Sequence, residues 1–259
     1  MTNFAERVAS DENDTPERKR VTAEYTKSSL NRYAEHLDRL NLYMSSEGAI
    51  VLDAGTGRGA SMAAIRLRGG RPIGIELDEE LSRTTAELQT RCGMPVTVVR
   101  ADIQRLPFED NSCDAALLVD VIEHVPSHQG TISALARMLR PGGLLYVYGP
   151  NRLSPSWFRR DPHYQLFGVS WMPRWLGKWY VCSMRKRAPY YSVFQFPIMT
   201  RFLGLLDREG FECVDGNHIE RERQIEATPK DQLNWRRRYL PNFLYANLNA
   251  MFWVLARKR

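Results

Sequence analysis

The sequence predicts an α/β fold, a mostly parallel sheet covered on both faces by helices. Three observations predict it. Short apolar runs alternate with helix-length segments from Ala49 to Tyr148. The first run, Ala49–Asp53, ends in the glycine-rich turn Asp53-Ala54-Gly55-Thr56-Gly57-Arg58-Gly59. The second run, Pro72–Leu77, carries an acidic residue, Glu76, about twenty positions further on. Strands alternating with helices imply βαβ units, and a sheet covered on both faces needs strands that are apolar throughout.

The elements follow in order. Residues 1–20 are polar and charged and are expected to form a flexible tail. Tyr25, Leu30, Tyr33, Leu37 and Leu40 recur at roughly helical spacing and predict a helical segment over residues 21–48. Residues 49–259 are expected to form the main domain. After the glycine turn, Ser61–Leu67 reads as a helix that Gly69-Gly70 stops. Glu79–Thr90 is a second helix, Val96–Arg100 a third strand and Asp114–Leu118 a fourth. Ile132–Leu139 is helical up to Arg140-Pro141-Gly142-Gly143, and Leu144–Tyr148 is a fifth strand. Residues 151–198 break the rhythm and are rich in Trp, Tyr, Pro and Arg. Met199–Glu209 then reads as a helix capped by Gly210, with strands at Phe211–Val214 and Met251–Ala256.

Composition narrows the function less than the pattern does. The chain has 259 residues, enough for one well-buried core with appendages or at most two small domains. A net charge of +6 favours anionic partners without choosing among them. Cys92, Cys113, Cys182 and Cys213 are scattered and form no CxxC pair, so neither a zinc site nor a disulfide scaffold is expected, and no metal is assigned. The first twenty residues hold no apolar h-region and no run is long enough to span a bilayer, so a cytoplasmic protein is expected.

The glycine turn is the first functional signal. Glycines there let a backbone approach a ligand closely, and the following helix N-terminus favours negative charge. A carboxylate at Glu76 can accept both hydroxyls of a ribose. Gly55, Gly57 and Ala60 also fit the dinucleotide pattern GxGxxA, which keeps an NAD-dependent oxidoreductase open on these residues.

Further segments discriminate. VLDAGTGRG resembles the first motif of class I S-adenosylmethionine-dependent methyltransferases, and GIELDEE their ribose-binding segment. VVRADIQRLPFEDNSCDAALLVDVIEHV resembles their third and fourth motifs, and LARMLRPGGLLYVYGPN the segment ending in their fifth strand. FLGLLDREGFECVDG and MFWVLARK resemble the closing helix and strands. The resemblance covers residues 49–150 and 199–257 in the right order and is nearest to the methyltransferase type 11 group. It implies a Rossmann-like fold with a mostly parallel seven-stranded sheet, an antiparallel last strand and helices on both faces. The implied cofactor is S-adenosylmethionine, with S-adenosylhomocysteine as product. Asp53 would hold the cofactor's amino-acid end, Ala54, Gly55, Thr56, Gly57 and Gly59 would give backbone donors and room, and Glu76 would take the ribose. Leu77 would pack on the adenine, Asp102 would meet its exocyclic amine with Ala101 beside it, and Ile103 would stack on the ring. Asp120 follows the fourth strand, where methyl transfer occurs in this fold. An oxidoreductase leaves Asp53 and Asp102 without a task.

The acceptor side is read from the remaining chemistry. Methyl transfer to a hydroxyl often uses a base, and histidine is the side chain most easily poised near neutral pH. His163 and Tyr164 lie early in the 151–198 insert, and His124 follows Glu123 just past the fourth strand. His163, His124, Asp120 and Tyr164 are therefore the catalytic candidates. The insert is expected to be an aromatic lid after strand five. Its Trp157, Trp171, Trp175 and Trp179, mixed with arginines, make peripheral contact with the inner membrane surface a second expectation. No stable nucleic-acid partner is expected. The expected reaction is O-methylation of a small molecule or glycan. The alternatives are N- or C-methylation of a lipid-linked acceptor, or a non-catalytic subunit that binds the cofactor.

Overall fold

A computed structural model describes residues 27–94, 96–184, 192–220, 226 and 242–259. The expected tail over residues 1–20 lies outside the described residues. Seven strands form one sheet: β1 Ile50–Ala54, β2 Arg71–Glu76, β3 Thr97–Arg100, β4 Cys113–Val119, β5 Leu139–Pro150, β6 Phe211–Gly216 and β7 Met251–Lys258. Their order is β3-β2-β1-β4-β5-β7-β6. Pairing is parallel between β1 and β2, β1 and β4, and β2 and β3. The sheet is mostly parallel, with antiparallel pairing at its last strands. The order reverses between β1 and β4, and in open α/β sheets ligands bind at the carboxyl end of such a switch. The glycine turn leaves β1 at that end.

Contacts divide the chain into two compact units. The first comprises residues 1–118, 133–145 and 258; the second comprises 119–132, 146–257 and 259. In the first unit, α1 (Lys27–Asn41), α2 (Ala60–Arg66) and α3 (Glu79–Arg91) accompany β1–β3. Val51 and Leu52 in β1 and Ala115 to Leu118 in β4 are sealed from solvent, as the apolar runs require. Leu30 of α1 packs with Ala60, Ala63, Cys92 and Met94, and Tyr33 joins them. The N-terminal helix thus shares the core of the first unit rather than standing apart. Asp114 ties the entry ends of the strands: its carboxylate accepts from the Ile50 amide at 2.7 Å and pairs with Arg140 at 2.5 Å.

The structure corrects one boundary substantially. The fifth strand begins at Leu139, directly after α4 (His128–Met138), and runs through the Arg140-Pro141-Gly142-Gly143 segment read as a helix stop. Gly142 takes φ +79°, and a Cβ on Gly143 would stand 2.9 Å from the Arg140 carbonyl. The helix has already ended at Met138, and the glycines serve instead the close backbone path of the strand extension.

The second unit contains the insert. It folds into α5 (Pro155–Arg159), a 3-10 turn at Val169–Trp171 and α6 (Arg174–Met184). Tyr164, Val169, Val181, Val193 and Phe196 bury one another in a core of their own. Trp175 and Trp179, one turn apart on α6, remain 73% and 65% exposed, so the aromatics are only partly internal. Residues 185–191, which include the basic run Arg185-Lys186-Arg187, lie outside the described residues. Beyond the insert, α7 (Met199–Arg208) turns Met199, Phe202, Leu205 and Leu206 inward, and α8 (Asn242–Leu248) precedes β7. No helix among the described residues is long and apolar enough to cross a membrane.

Candidate functional site

In the first unit the site grows from the end of β1. Asp53 is buried, and its carboxylate accepts from the hydroxyls of Thr56 and Ser61. Burial pushes its pKa up to about 6; the two hydroxyl donors oppose the rise and the charge of Glu76 adds to it. A carboxylate that is hard to keep charged is suited to meeting a cation. Because the folded pKa lies above the unfolded value, Asp53 stabilises the fold fully below about pH 4, and that contribution is lost as pH rises through 6. The rise corresponds to about 3 kcal/mol. The stability of Asp53→Asn relative to the parent, measured by urea denaturation of ligand-free protein, should therefore increase by about that amount between pH 4 and pH 8. A difference that does not change with pH would overturn this account of Asp53.

The turn is held from several directions. Gly55 and Thr56 both donate their amides to the Ile75 carbonyl at 2.9 Å. Gly57 (φ +50°) donates to Glu76 Oε2 at 2.9 Å, and Asp78 donates to Glu76 Oε1 at 3.0 Å. Each carboxylate oxygen is thus positioned by one backbone donor and keeps a lone pair for a further hydroxyl. Gly59 begins α2 at φ +78°, a conformation that glycine adopts without strain. Leu77 presents its side chain to solvent, 68% exposed beside Glu76. The Ala101 amide donates to the Glu76 carbonyl at 3.1 Å, and the Asp102 carboxylate caps the following turn through Gln104 at 2.9 Å. Ile103 is mostly buried, which leaves only an edge of its side chain for a ring.

Three contributors escaped the sequence reading. Thr85 donates to the Gly57 carbonyl at 2.6 Å, and Gln89 to the Gly59 carbonyl at 2.9 Å. Both are buried on α3, together with Ser82. A polar stripe at helical spacing on an otherwise inward face was the available signal. The third is Tyr33 of α1. Burial raises its hydroxyl pKa first, and the charge of Asp53 adds to this, which places the ring beside the turn.

In the second unit Asp120 follows β4 in the left-handed region at φ +55°, with its amide donating to the Tyr148 carbonyl at 2.9 Å. Such backbone strain concentrates at functional turns. A 3-10 turn, Ile122–His124, then presents Glu123 and His124. The Glu123 carboxylate is buried, with Oε1 3.9 Å from His124 Nε2 and 3.5 Å from His163 Nε2. The two imidazole rings meet edge to face, their centres 5.0 Å apart. The Asp161 carboxylate sets the His163 turn by accepting the amides of His163 and Tyr164 at 2.9 and 2.8 Å. The structure therefore brings His124 and His163 together around Glu123. Glu123 was read in sequence only as the neighbour of His124. Tyr164 takes a different place: its ring is buried and its hydroxyl accepts the Ser192 amide at 2.8 Å. In that place it pins the 192–193 backbone.

The cofactor read from sequence can be tested against these residues. An under-compensated buried carboxylate at Asp53, an anchored carboxylate with free lone pairs at Glu76 and exposed apolar surface at Leu77 suit an ammonium, a ribose and an aromatic base in turn. The residues fit S-adenosylmethionine.

Comparison with known proteins agrees. Residues 52–147 match the family described as "Methyltransferase domain". The chain is 33% identical over 144 residues to a demethylmenaquinone methyltransferase of Tropheryma whipplei, covering 49% of this chain and 59% of that protein. It thus spans less than two thirds of that relative. It is 28% identical over 181 residues to a ubiquinone biosynthesis O-methyltransferase of Dechloromonas aromatica, covering 69% of this chain and 72% of that one. In fold it is similar to an S-adenosylmethionine-dependent methyltransferase from Mesorhizobium loti, with a TM-score of 0.58 and 17% identity, over 88% of this chain and 100% of that one. The ordered motifs, the sheet order and the family match converge: residues 52–147 carry the methyltransferase-domain match, and the chain as a whole has the fold of the solved S-adenosylmethionine-dependent methyltransferases.

Proposed function

We propose that this chain transfers a methyl group from S-adenosylmethionine to an oxygen atom of a small-molecule or glycan acceptor, leaving S-adenosylhomocysteine. The observation that carries the reading is the Glu76 carboxylate, fixed by Gly57 and Asp78 at the mouth of the glycine turn. Asp53 would hold the amino-acid end, Glu76 the ribose hydroxyls, Leu77 a face of the adenine and Asp102 its exocyclic amine. When bound, the cofactor supplies an electrophilic methyl group, so the protein's tasks are orientation and control of the acceptor's proton. The Glu123–His124–His163 cluster is the group we assign to that proton. A negative carboxylate behind two imidazoles offsets positive charge gained as a hydroxyl is deprotonated. Oxygen is favoured because this cluster suits an acceptor that must lose a proton. The name of the Dechloromonas relative, an O-methyltransferase, is consistent with it.

Isothermal titration tests the cofactor. S-Adenosylhomocysteine should bind in the micromolar range, and NAD should not bind. Binding of NAD without S-adenosylhomocysteine would replace the methyltransferase reading with the oxidoreductase one.

A further inference from the structure

The Glu123–His124–His163 cluster sets one buried carboxylate against two imidazoles. His124 Nδ1 lies 3.2 Å from the Ser192 carbonyl oxygen, which can only accept, so Nδ1 carries the hydrogen. In the neutral ring, Nε2 is then left with a bare lone pair. That lone pair lies 3.9 Å from Glu123 Oε1, itself an acceptor. Glu123 Oε2 is buried with no hydrogen-bond partner, and so is His163 Nδ1. The side chain of Glu123 is 1% exposed. A buried carboxylate with one oxygen unpartnered, the other reached only by an imidazole nitrogen 3.5 Å away and facing the lone pair of a second imidazole, is costly unless a cation stands with them.

We infer that these three residues bind a divalent first-row transition metal ion. One ligand atom from each lies within 4.8 Å of those of the other two. Ligands about 2.1 Å from a tetrahedral ion stand about 3.4 Å from one another. The Glu123–His163 separation of 3.5 Å already meets that value, and the Glu123–His124 separation of 3.9 Å needs only a small side-chain adjustment. Two histidines and one carboxylate form a donor set that such ions accept with positions left open. His124 and His163 are partly exposed where Glu123 is sealed, so the open positions face outward.

The surroundings have the form of a supporting shell. The Ser192 carbonyl fixes the tautomer of His124, as carbonyls do behind metal-bound histidines. The Tyr164 hydroxyl holds Ser192 through its amide. Phe194 and Gln195 donate their amides to the Glu123 carbonyl at 2.9 and 3.2 Å. Sequence alone gave no metal spacing, because His163 comes from the insert and not from the Glu123-His124 turn.

Binding of the ion stands independently of the reaction; in methyl transfer, which rests on the reading above, the cluster would act on the acceptor's proton through the ion, by lowering the hydroxyl's pKa, and not by accepting the proton on a ligated imidazole. Titration of the full chain with cobalt(II), followed by visible absorption, should show one equivalent bound and displaced by zinc(II). Glu123→Gln and, on the more exposed side, His163→Ala should each weaken that binding by at least about a hundredfold while far-UV circular dichroism stays unchanged. His218→Ala, which removes the imidazole 3.8 Å from the Cys213 thiol, should leave it intact. Absence of cobalt binding, or binding unaffected by both Glu123→Gln and His163→Ala, overturns the site. A chain that takes up S-adenosylhomocysteine but no cobalt keeps the methyltransferase reading and loses the metal; one that takes up cobalt but not S-adenosylhomocysteine does the reverse.

Discussion

His163→Ala is expected to lower methyl-transfer turnover by about a hundredfold or more, the usual contribution of a group that controls the acceptor's proton, directly or through a bound ion. Affinity for S-adenosylhomocysteine should stay within about twofold, because the residues assigned to the cofactor are elsewhere in the chain. The asymmetry follows from the environment of the ring. His163 is locked by the Asp161 turn and stands 3.5 Å from a buried carboxylate, yet keeps an exposed edge. A surface histidine has no such partner. The variant should remain folded, since the His163 ring is partly exposed and only edges the insert's apolar core at Tyr164 and Phe196. Transfer of labelled methyl from the cofactor to a panel of hydroxylated acceptors gives the turnover, and titration gives the affinity. Normal turnover in the variant would return the proton to His124 or Asp120, or show that the acceptor needs no such help.

Glu76→Ala should weaken S-adenosylhomocysteine binding by well over tenfold. Two ribose hydroxyls donating to a carboxylate are worth about 1.5–3 kcal/mol each. The structure adds a second loss, because the same carboxylate holds the Gly57 amide and so shapes the turn. Glu76→Gln separates the two. It can still accept through one oxygen, but its amide nitrogen must face a backbone donor, either Gly57 or Asp78. Affinity should fall in both variants, more in Ala, while the melting temperature moves little because the residue is only half-buried. An unchanged dissociation constant in Glu76→Ala would remove Glu76 from the cofactor site.

What could be read from the sequence was local. The run Ala49–Asp53, its glycines and Glu76 could be read together because strand period, turn chemistry and the acidic spacing all act within about thirty residues. The extension of β5 through Arg140-Pro141-Gly142-Gly143 could not, because strand pairing is decided by a distant neighbour while helix stopping is decided on the spot. The metal-binding geometry was hidden for the same reason. Glu123 and His124 are adjacent, but His163 and Ser192 arrive from an irregular segment whose path no periodicity encodes. His163 was singled out for its chemistry, and Glu123 was passed over because a carboxylate in a short turn reads as solvated unless its burial is known. Tyr164 was weighed as an acceptor-facing hydroxyl, and its bonds to the Ser192 backbone could not be read from sequence, because the partner lies 28 residues away.

The private core of the insert, formed by Tyr164, Val169, Val181, Val193 and Phe196, also bears on how such a protein can change over generations. Substitutions at Val169 of the 3-10 turn or Val181 of α6 act on that small cluster, and effects at well-separated sites add rather than compound. Variation in the insert can therefore accumulate without loosening the strands that carry the glycine turn.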